Sequence, residues 1–292
     1  MEKYLIALDM DGTLLNSKKE ICPKTKEYLK HLASLGHIVV IASGRPIRAI
    51  KRYYDELELT TPLVCYNGAD ILSPNDPNFK EISFAFPHEV IKQIYNDVGN
   101  EYIENVMCET NKELWIIKDD PTLESFFWTD QMEIIKGDIT KTLDQDPMTM
   151  IMKSYSKEYD QKIIDAINKH PELHLRFWNG MYSLYSEIYF KDISKATGLK
   201  HIAKYYQIPY DHIIAIGDAS NDVEMFQLAG IPIAMKNSDD FTKSHAKIIT
   251  PFDNDNDGIM YALKEIIKYS VPLIPNMISW WIVSASDRTI IS

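Results

Sequence analysis

Short apolar runs alternate along the chain with segments whose apolar residues recur at helical spacing. In residues 23–35, apolar side chains stand at positions 28, 29, 32 and 35, the pattern of one buried helix face. The pattern predicts, in order, a strand at 4–8, a helix at 23–35, a strand at 37–42, a helix at 47–57 and a strand at 63–66. Such βαβ units build a parallel sheet with helices on both faces, which explains strands that are apolar throughout. The predicted fold class is therefore α/β.

The same pattern returns in the last third of the chain, while the middle differs. It predicts a helix at 195–206, a strand at 212–216, a helix at 222–229 and a strand at 231–235. Between the two stretches, the pattern predicts strands at 113–117 and 182–189 and helices at 88–98 and 159–169. We therefore expect one core formed by residues 1–82 and 189–270, an inserted α+β domain at 83–188, and an apolar tail of unassigned role at 271–292.

Composition and charge narrow the class of protein. A length of 292 residues, with 45% hydrophobic and 25% charged, fits a globular protein of about two domains. The formal net charge of -11 argues against a main role in binding nucleic acid. The three cysteines are odd in number and far apart, which indicates reduced thiols. The acidic N-terminus does not fit a signal peptide, and the apolar run 271–283 is too short to span a bilayer. We expect a cytoplasmic protein without a membrane partner.

Polar motifs directly follow three of the predicted core strands. DMDGT occupies residues 9–13, SGR residues 43–45 and GDASND residues 217–222. Each alone also fits a turn or a helix cap. Because the carboxyl ends of parallel strands meet at one edge of a sheet, the motifs together bring four carboxylates to one place. Carboxylates that crowded repel one another, and a divalent cation with oxygen ligands is the usual way to hold them together.

In this order, the motifs resemble those of the haloacid dehalogenase superfamily of phosphatases, and within it the Cof-type group. The resemblance rests on DMDGT at 9–13, ASGR around Ser43, DISKATGLK around Lys195 and GDASND at 217–222, and it covers nearly the whole chain. Two further phrases are family-like, PLVCYNGADIL at 62–72 and DNDGI at 255–259. The resemblance implies a three-layer Rossmann-like core with a parallel sheet, and identifies the insert at 83–188 as a C2-type cap.

The resemblance also implies roles for individual residues. Asp9 would be the nucleophile that becomes an aspartyl phosphate, and Asp11 the general acid and base. Mg²⁺ would be held by Asp9, the backbone carbonyl of Asp11 and Asp218. We expect Asp9 and Asp218 to raise the pKa of Asp11, with the metal partly offsetting this shift. Contacts to the phosphoryl group are implied for Gly12, Ser43, Gly44, Lys195 and Asn221. Supporting positions are implied for Thr13, Arg45, Asn67 and Asp222, the last of which either supports the metal through water or holds Lys195.

The implied function is Mg²⁺-dependent hydrolysis of small phosphorylated metabolites, with sugar phosphates as the first candidates. A phosphorylated cofactor, pyridoxal phosphate or flavin mononucleotide, is the second. A phosphomutase is a rival enzyme class. A signalling module phosphorylated on Asp9 is a rival from outside the enzymes, but Asp11 and a cap would be superfluous in it. The sequence does not determine the oligomeric state.

Overall fold

The computed structural model describes residues 2–121, 128–129, 132–178 and 180–267. The predicted tail at 271–292 lies outside these residues. The described strands are β1 (Leu5–Leu8), β2 (Ile38–Ile41), β3 (Leu63–Cys65), β4 (Asp70–Leu72), β5 (Ile82–Ser83), β6 (Ile103–Glu109), β7 (Glu113–Ile116), β8 (Glu133–Lys136), β9 (Thr149–Ser154), β10 (Leu173–Phe177), β11 (Tyr185–Phe190), β12 (Ile213–Gly217), β13 (Ile231–Ala234) and β14 (Ile248–Ile249). The described α-helices are α1 (Pro23–Ser34), α2 (Ile47–Glu56), α3 (His88–Val98), α4 (Ile139–Thr142), α5 (Asp160–Ile167), α6 (Lys195–Tyr206), α7 (Val223–Leu228), α8 (Asp240–Ser244) and α9 (Gly258–Ile266).

The core sheet is parallel and has the strand order β14-β13-β12-β1-β2. Strand β1, which lies between β12 and β2, is fully buried, since helices cover both faces of the sheet. Ile6 and Leu8 pack in one hydrophobic cluster with α1, α2 and α9, whereas Leu5 and Ala7 pack in another with α6 and α7. This alternation follows from the period of two along a strand. The predicted α/β fold with a three-layer core is confirmed.

A small antiparallel sheet, in the order β3-β4-β5, connects the core to the insert. A single parallel bridge between Ala42 and Val64 ties β3 to the end of β2. The strand predicted to reach residue 66 ends at Cys65, because Tyr66 and Asn67 have positive φ angles of 47° and 52° and turn the chain. That turn points the following residues back toward the core motifs.

The insert is an α+β domain, as predicted. Its sheet has the order β10-β11-β9-β6-β7-β8, antiparallel except for the pair β7 and β8. Helices α3 and α5 supply buried residues to the hydrophobic cluster on one of its faces. Strand β11 extends to Phe190, so the predicted boundary between residues 188 and 189 falls inside this strand. Phe86 and Phe190 stack at a centroid distance of 4.5 Å where the chain passes between the two domains.

The burial of the cysteines bears on their chemistry, and the lengths of the helices bear on membrane insertion. Cys22, Cys65 and Cys108 are free thiols and are all buried. Cys65 lies in the core strand β3, and Cys108 lies in the cap strand β6. Across the part of the chain that the structure describes, we find no helix with the length and apolar character needed to cross a bilayer.

Candidate active site

Asp9 directly follows β1, at the carboxyl end of the core sheet. Its backbone N–H donates to the carbonyl of Ile216 at 2.9 Å, which continues the pairing of β1 with β12. The residue is only 6% exposed. Because β1 lies between β2 and β12, the residue that follows it is flanked by the ends of both strands. The sequence therefore places a carboxylate at the sheet edge where α/β proteins bind ligands.

Lys195 joins two carboxylates from opposite sides of the site. It is the first residue of α6, is completely buried, and its Nζ lies 2.5 Å from Asp9 Oδ1 and 2.6 Å from Asp222 Oδ1. Gly198 lets α6 approach β3, because a Cβ there would lie 2.5 Å from the side chain of Val64. Burial opposes the charge on Lys195, but Asp222 and Asp9 raise its pKa above the ordinary value. The ammonium therefore stays charged.

Asp222 is engaged by the protein through both of its oxygens. Oδ1 accepts from Lys195, and Oδ2 accepts from the backbone N–H groups of Asp218 and Ala219 at 2.9 and 3.0 Å. Three donors satisfy this fully buried carboxylate, as its burial requires. Of the two roles expected for Asp222, these contacts match that of holding Lys195 and the following loop.

Asp218 and Asp9 form the acidic part of the site. One oxygen atom each of Asp9, Asp218 and Asp222 can be chosen so that all three lie within 4.8 Å of one another. Burial and the charge of Asp222 raise the pKa of Asp218 to about 6. Burial, with the charges of Asp222 and Asp218, raises the pKa of Asp9 well above its usual range, although Lys195 opposes the shift. These carboxylates are therefore costly to ionise together, which a bound cation would relieve.

Gly12 allows the first motif to turn tightly beside Asp218. Its φ is +79°, and a Cβ on this residue would lie 2.2 Å from Asp218 Oδ2. Thr13 Oγ1 donates to Asp218 Oδ1 at 3.0 Å, so the same turn also orients the carboxylate. The carbonyl of Gly12 accepts from Asn237 Nδ2 at 2.8 Å. Asn237 is a residue that sequence reasoning missed, because it belongs to none of the motifs.

Asp11 does not face the other carboxylates in the way that the sequence suggested. Arg45 donates to both of its oxygens, at 2.7 Å from Nε and 2.5 Å from Nη2, and Lys19 Nζ lies 2.8 Å from Oδ1. Burial alone would raise the pKa of Asp11, but the hydrogen bonds and charges of Arg45 and Lys19 together lower it. The expectation that Asp9 and Asp218 raise this pKa is therefore wrong. Lys19 was not anticipated, because nothing in the motif indicates how the chain turns back.

Ser43 and Asn67 occupy the next position along the sheet edge. Ser43 is 2% exposed, and its hydroxyl accepts from the backbone N–H of Arg45 at 3.2 Å. Its carbonyl accepts from the N–H of Asn67 at 2.9 Å. Asn67 Oδ1 in turn accepts from Asn221 Nδ2 at 2.9 Å, and a Cβ on Gly44 would lie 3.0 Å from Asn67 Nδ2. The structure thus brings the predicted residues of the second and fourth motifs together.

The cap is tied to the core by ion pairs and hydrogen bonds beside this site. Arg48 of α2 contacts the Glu109 carboxylate at the end of β6 and also donates to Tyr66 Oη at 3.3 Å. Burial raises the pKa of Glu109 to about 7, although Arg48 opposes the shift. Arg45 lies with its guanidinium 4.7 Å from the centre of the Trp128 ring. The cap therefore closes over the edge that carries Asp11.

A second link between the domains lies at β4. Asn111 Nδ2 of the cap donates to Asp70 Oδ2 of the core at 2.9 Å. Asp70 is completely buried, and among the described residues no donor lies within hydrogen-bond distance of its Oδ1. Burial raises the pKa of Asp70 to about 6, and Glu81 adds to the shift while Asn111 opposes it. The carboxyl group is therefore close to neutral at mildly acidic pH.

Comparison with known proteins assigns the family. The profile of the haloacid dehalogenase-like hydrolases matches residues 6–263, so the chain belongs to this family. The chain is 35% identical over 266 residues to the 5-amino-6-(5-phospho-D-ribitylamino)uracil phosphatase YitU of Bacillus subtilis, covering 90% of this chain and 97% of that one. It is 27% identical over 273 residues to the pyridoxal phosphate phosphatase YbhA of Escherichia coli, covering 89% and 97%.

Comparison of the fold with solved structures gives the same family. A haloacid dehalogenase-like hydrolase from Bacteroides thetaiotaomicron superposes with a TM-score of 0.76 at 26% identity, covering 91% of this chain and 100% of that one. The predictions of a phosphatase of this family, of the Cof type, with a cap inserted in an α/β core are confirmed.

Proposed function

We propose that the chain is a Mg²⁺-dependent phosphomonoesterase that forms an aspartyl phosphate on Asp9. The carboxylates of Asp9 and Asp218 and the backbone carbonyl of Asp11 would hold the ion. The donor set fits, because its oxygens are those that Mg²⁺ prefers and because burial, together with neighbouring carboxylates, raises the pKa values of Asp9 and Asp218, a cost of ionisation that a cation would relieve. When bound, the metal supplies positive charge that stabilises the transferring phosphoryl group.

The protein residues perform two proton-coupled displacements. Asp9 attacks phosphorus, and the bond to the leaving alkoxide breaks as that oxygen takes a proton from Asp11. Asp11 then takes a proton from water, whose oxygen attacks the phosphorus and frees Asp9 and inorganic phosphate. Because Arg45 and Lys19 keep Asp11 ionised in the structure, acid catalysis requires Asp11 to leave these partners and take up a proton when substrate binds.

Fixed donors surround the position of the phosphoryl group. Lys195 is held by Asp222, and the hydroxyl of Ser43 lies on the neighbouring motif. Donors aimed at developing charge in a site sheltered from water stabilise the transition state most. The remaining proposed donors are the amides of Gly12 and Gly44 and the side chain of Asn221. Arg45 orients Ser43 and Asn67 orients Asn221 through the hydrogen bonds described above, while Thr13 orients Asp218.

We propose 5-amino-6-(5-phospho-D-ribitylamino)uracil as the substrate. The observation that carries this choice is the 35% identity to the B. subtilis phosphatase over nearly the full length of both chains. Sequence analysis places sugar phosphates first, and the proposed substrate shares their phosphorylated polyol chain while adding a pyrimidinedione ring. Pyridoxal phosphate is the second candidate, because the E. coli relative is named for it. The free thiols agree with a cytoplasmic location.

The test is phosphate release from a panel of esters at a fixed Mg²⁺ concentration. The panel contains the ribitylaminouracil ester, pyridoxal phosphate, flavin mononucleotide, several sugar phosphates and p-nitrophenyl phosphate. We expect the highest kcat/KM for the ribitylaminouracil ester. A higher value for a sugar phosphate would refute the choice of substrate, whereas release of no more than one equivalent from any ester would favour the signalling module. An isomeric product without free phosphate would favour the mutase.

A further inference from the structure

In the part of the cap that the structure describes, α-helices pack against one face of the sheet, and no α-helix packs against the other. Met150, Met152 and Ile188 alternate along β9 and β11 and pack in the hydrophobic cluster of α3 and α5. Because side chains alternate between faces, the residues between them lie on the opposite face. Glu187 is such a residue, and its partner across the strands is Ile151.

The face that carries Glu187 is turned toward the core. Glu109 pairs with Thr149 in the register of β6 and β9, which puts it on the same face as Ile151. Glu109 contacts Arg48 of the core helix α2. Since Glu109 on this face contacts the core, the other polar residues of the same face are directed toward the cleft between the two domains.

Four side chains of this face form what we call the cap polar cluster, namely Arg176, Trp178, Glu187 and Tyr189. Arg176 stands opposite Glu187 in the register of β10 and β11, and its Nη2 lies 2.6 Å from Glu187 Oε2. Trp178 Nε1 is 3.4 Å from the same oxygen, and the Arg176 guanidinium carbon is 5.5 Å from the centre of the Tyr189 ring. The side chain of Arg176 is 35% exposed and that of Glu187 is 16% exposed, so both remain accessible to a ligand.

The cluster lies within electrostatic reach of the first turn of α7, which follows the fourth motif. Burial lowers the pKa of Arg176, but the charge of Glu187, with smaller contributions from Tyr189 and Glu224, raises it overall. Glu224 also contributes to the raised pKa of Tyr189. Glu224 is the second residue of α7 and follows Asp222 by two positions. The cluster is therefore placed across the cleft from the phosphoryl site, where the part of a substrate remote from phosphorus would lie.

We propose that Arg176 and Glu187 select substrates whose remote part is a planar ring with adjacent C=O and N–H groups. The guanidinium has five N–H donors and no acceptor, whereas an ionised carboxylate only accepts, so the pair presents both complements of an imide edge side by side. The rings of Tyr189 and Trp178 offer aromatic faces beside them. This inference rests on the proposed function, whose pyrimidinedione is such a ring, and it adds the residues that recognise it.

The experiment compares the ribitylaminouracil ester with ribitol 5-phosphate, in which a hydroxyl group replaces the ring and the amino nitrogen that carries it. Removing one partner of a charge-assisted hydrogen bond typically costs a factor of about 10 to 100. We expect Glu187→Gln to lower kcat/KM by this factor for the ring-bearing ester and to leave ribitol 5-phosphate within about threefold of wild type. Arg176→Lys, which keeps the charge but loses the planar fork, should act in the same direction.

A matched control removes an ion pair from the other side of the cap. Asp97 of α3 pairs with Lys169 at 3.1 Å, and Asp97→Asn should change neither kcat/KM value. Melting temperatures of all variants identify any loss of folding, and if Glu187→Gln does not fold, Arg176→Lys carries the comparison.

The outcomes separate the inference from the proposed function. If wild type prefers the ring-bearing ester and both cluster variants lose kcat/KM equally on the two esters, the cluster does not recognise the ring. That result overturns the inference and leaves the proposed function standing. If wild type hydrolyses ribitol 5-phosphate as efficiently as the ring-bearing ester, the choice of substrate fails and the inference fails with it. A loss confined to the ring-bearing ester supports both.

Discussion

Substituting Gly12 by alanine separates the role of this residue in the turn from its role beside Asp218. The φ of +79° at Gly12 makes any side chain costly there, by about 1 to 2 kcal/mol. Gly36, at the end of α1, has a φ of +88° and meets the same cost. The nearest atom to a Cβ on Gly36 is Lys3 Cε at 3.5 Å, which is ordinary contact. Gly36→Ala is thus a control for backbone strain without a clash.

A side chain at position 12 would clash with Asp218, a proposed metal ligand. A Cβ would lie 2.2 Å from Asp218 Oδ2, and ordinary contact begins at 3.4 Å, so the carboxylate or the turn must move by about 1 Å. That movement also disturbs the hydrogen bond from Thr13 to Asp218. Misplacement of a reacting group by this amount can cost about 100-fold in rate. We expect Gly12→Ala to lose activity on this scale and to need at least about tenfold more Mg²⁺ for half-maximal turnover.

The assay is phosphate release from p-nitrophenyl phosphate over a series of Mg²⁺ concentrations, with melting temperatures measured for both variants. Both variants should melt at lower temperatures than the wild type, and only Gly12→Ala should change the Mg²⁺ requirement. If Gly12→Ala keeps the Mg²⁺ requirement and the rate of the wild type, the close approach of Gly12 to Asp218 is not needed for function. If Gly36→Ala loses as much activity, the loss comes from stability alone.

Three further predictions concern the nucleophile, the metal and a buried acid. Asp9→Asn should fold and release no phosphate, because an amide does not attack phosphorus, and roughly a tenth of the wild-type rate would contradict the assignment. EDTA should abolish turnover and Mg²⁺ restore it while Ca²⁺ does so poorly, and undiminished turnover after chelation would contradict the mechanism. The pKa of Asp70 is raised from 3.8 to about 6, so the folded state holds a proton that the unfolded chain has lost. The free energy of unfolding should therefore fall by up to about 3 kcal/mol between pH 4 and pH 6. Denaturant titrations across this range should show a smaller fall for Asp70→Asn, and an unchanged fall would assign the effect elsewhere.

The motifs could be placed from the sequence because each one directly follows a buried strand. Asp9, Ser43 and Asp218 come after β1, β2 and β12, which are neighbours in the sheet. The topology of a parallel sheet then fixes their proximity. Lys195 needed the family resemblance, because a lysine at a helix start is usually exposed and only packing against β3 buries it.

Contacts that depend on how loops fold back could not be predicted. The pairing of Asp11 with Lys19 depends on a turn whose direction no local pattern specifies. The cap was predicted as an α+β domain, but which face of its sheet meets the core depends on the contact of Glu109 with Arg48, a pair separated by 61 positions in the chain. Without knowledge of that contact, the sequence indicates only that Arg176 and Glu187 are charged residues on strands of the insert.

The buried thiols make each domain its own reporter of local opening. Cys65 lies in the core and Cys108 in the cap, both are completely buried, and burial raises the pKa of each thiol. Because only an exposed thiolate reacts quickly with an alkylating reagent, each cysteine is modified only when the strand around it detaches. Labelling rates resolved by peptide mass spectrometry would therefore give separate opening equilibria for core and cap in the unaltered chain. A ligand that bridges the cleft should slow both rates, whereas one that binds the core alone should protect Cys65 and leave Cys108 reacting as before.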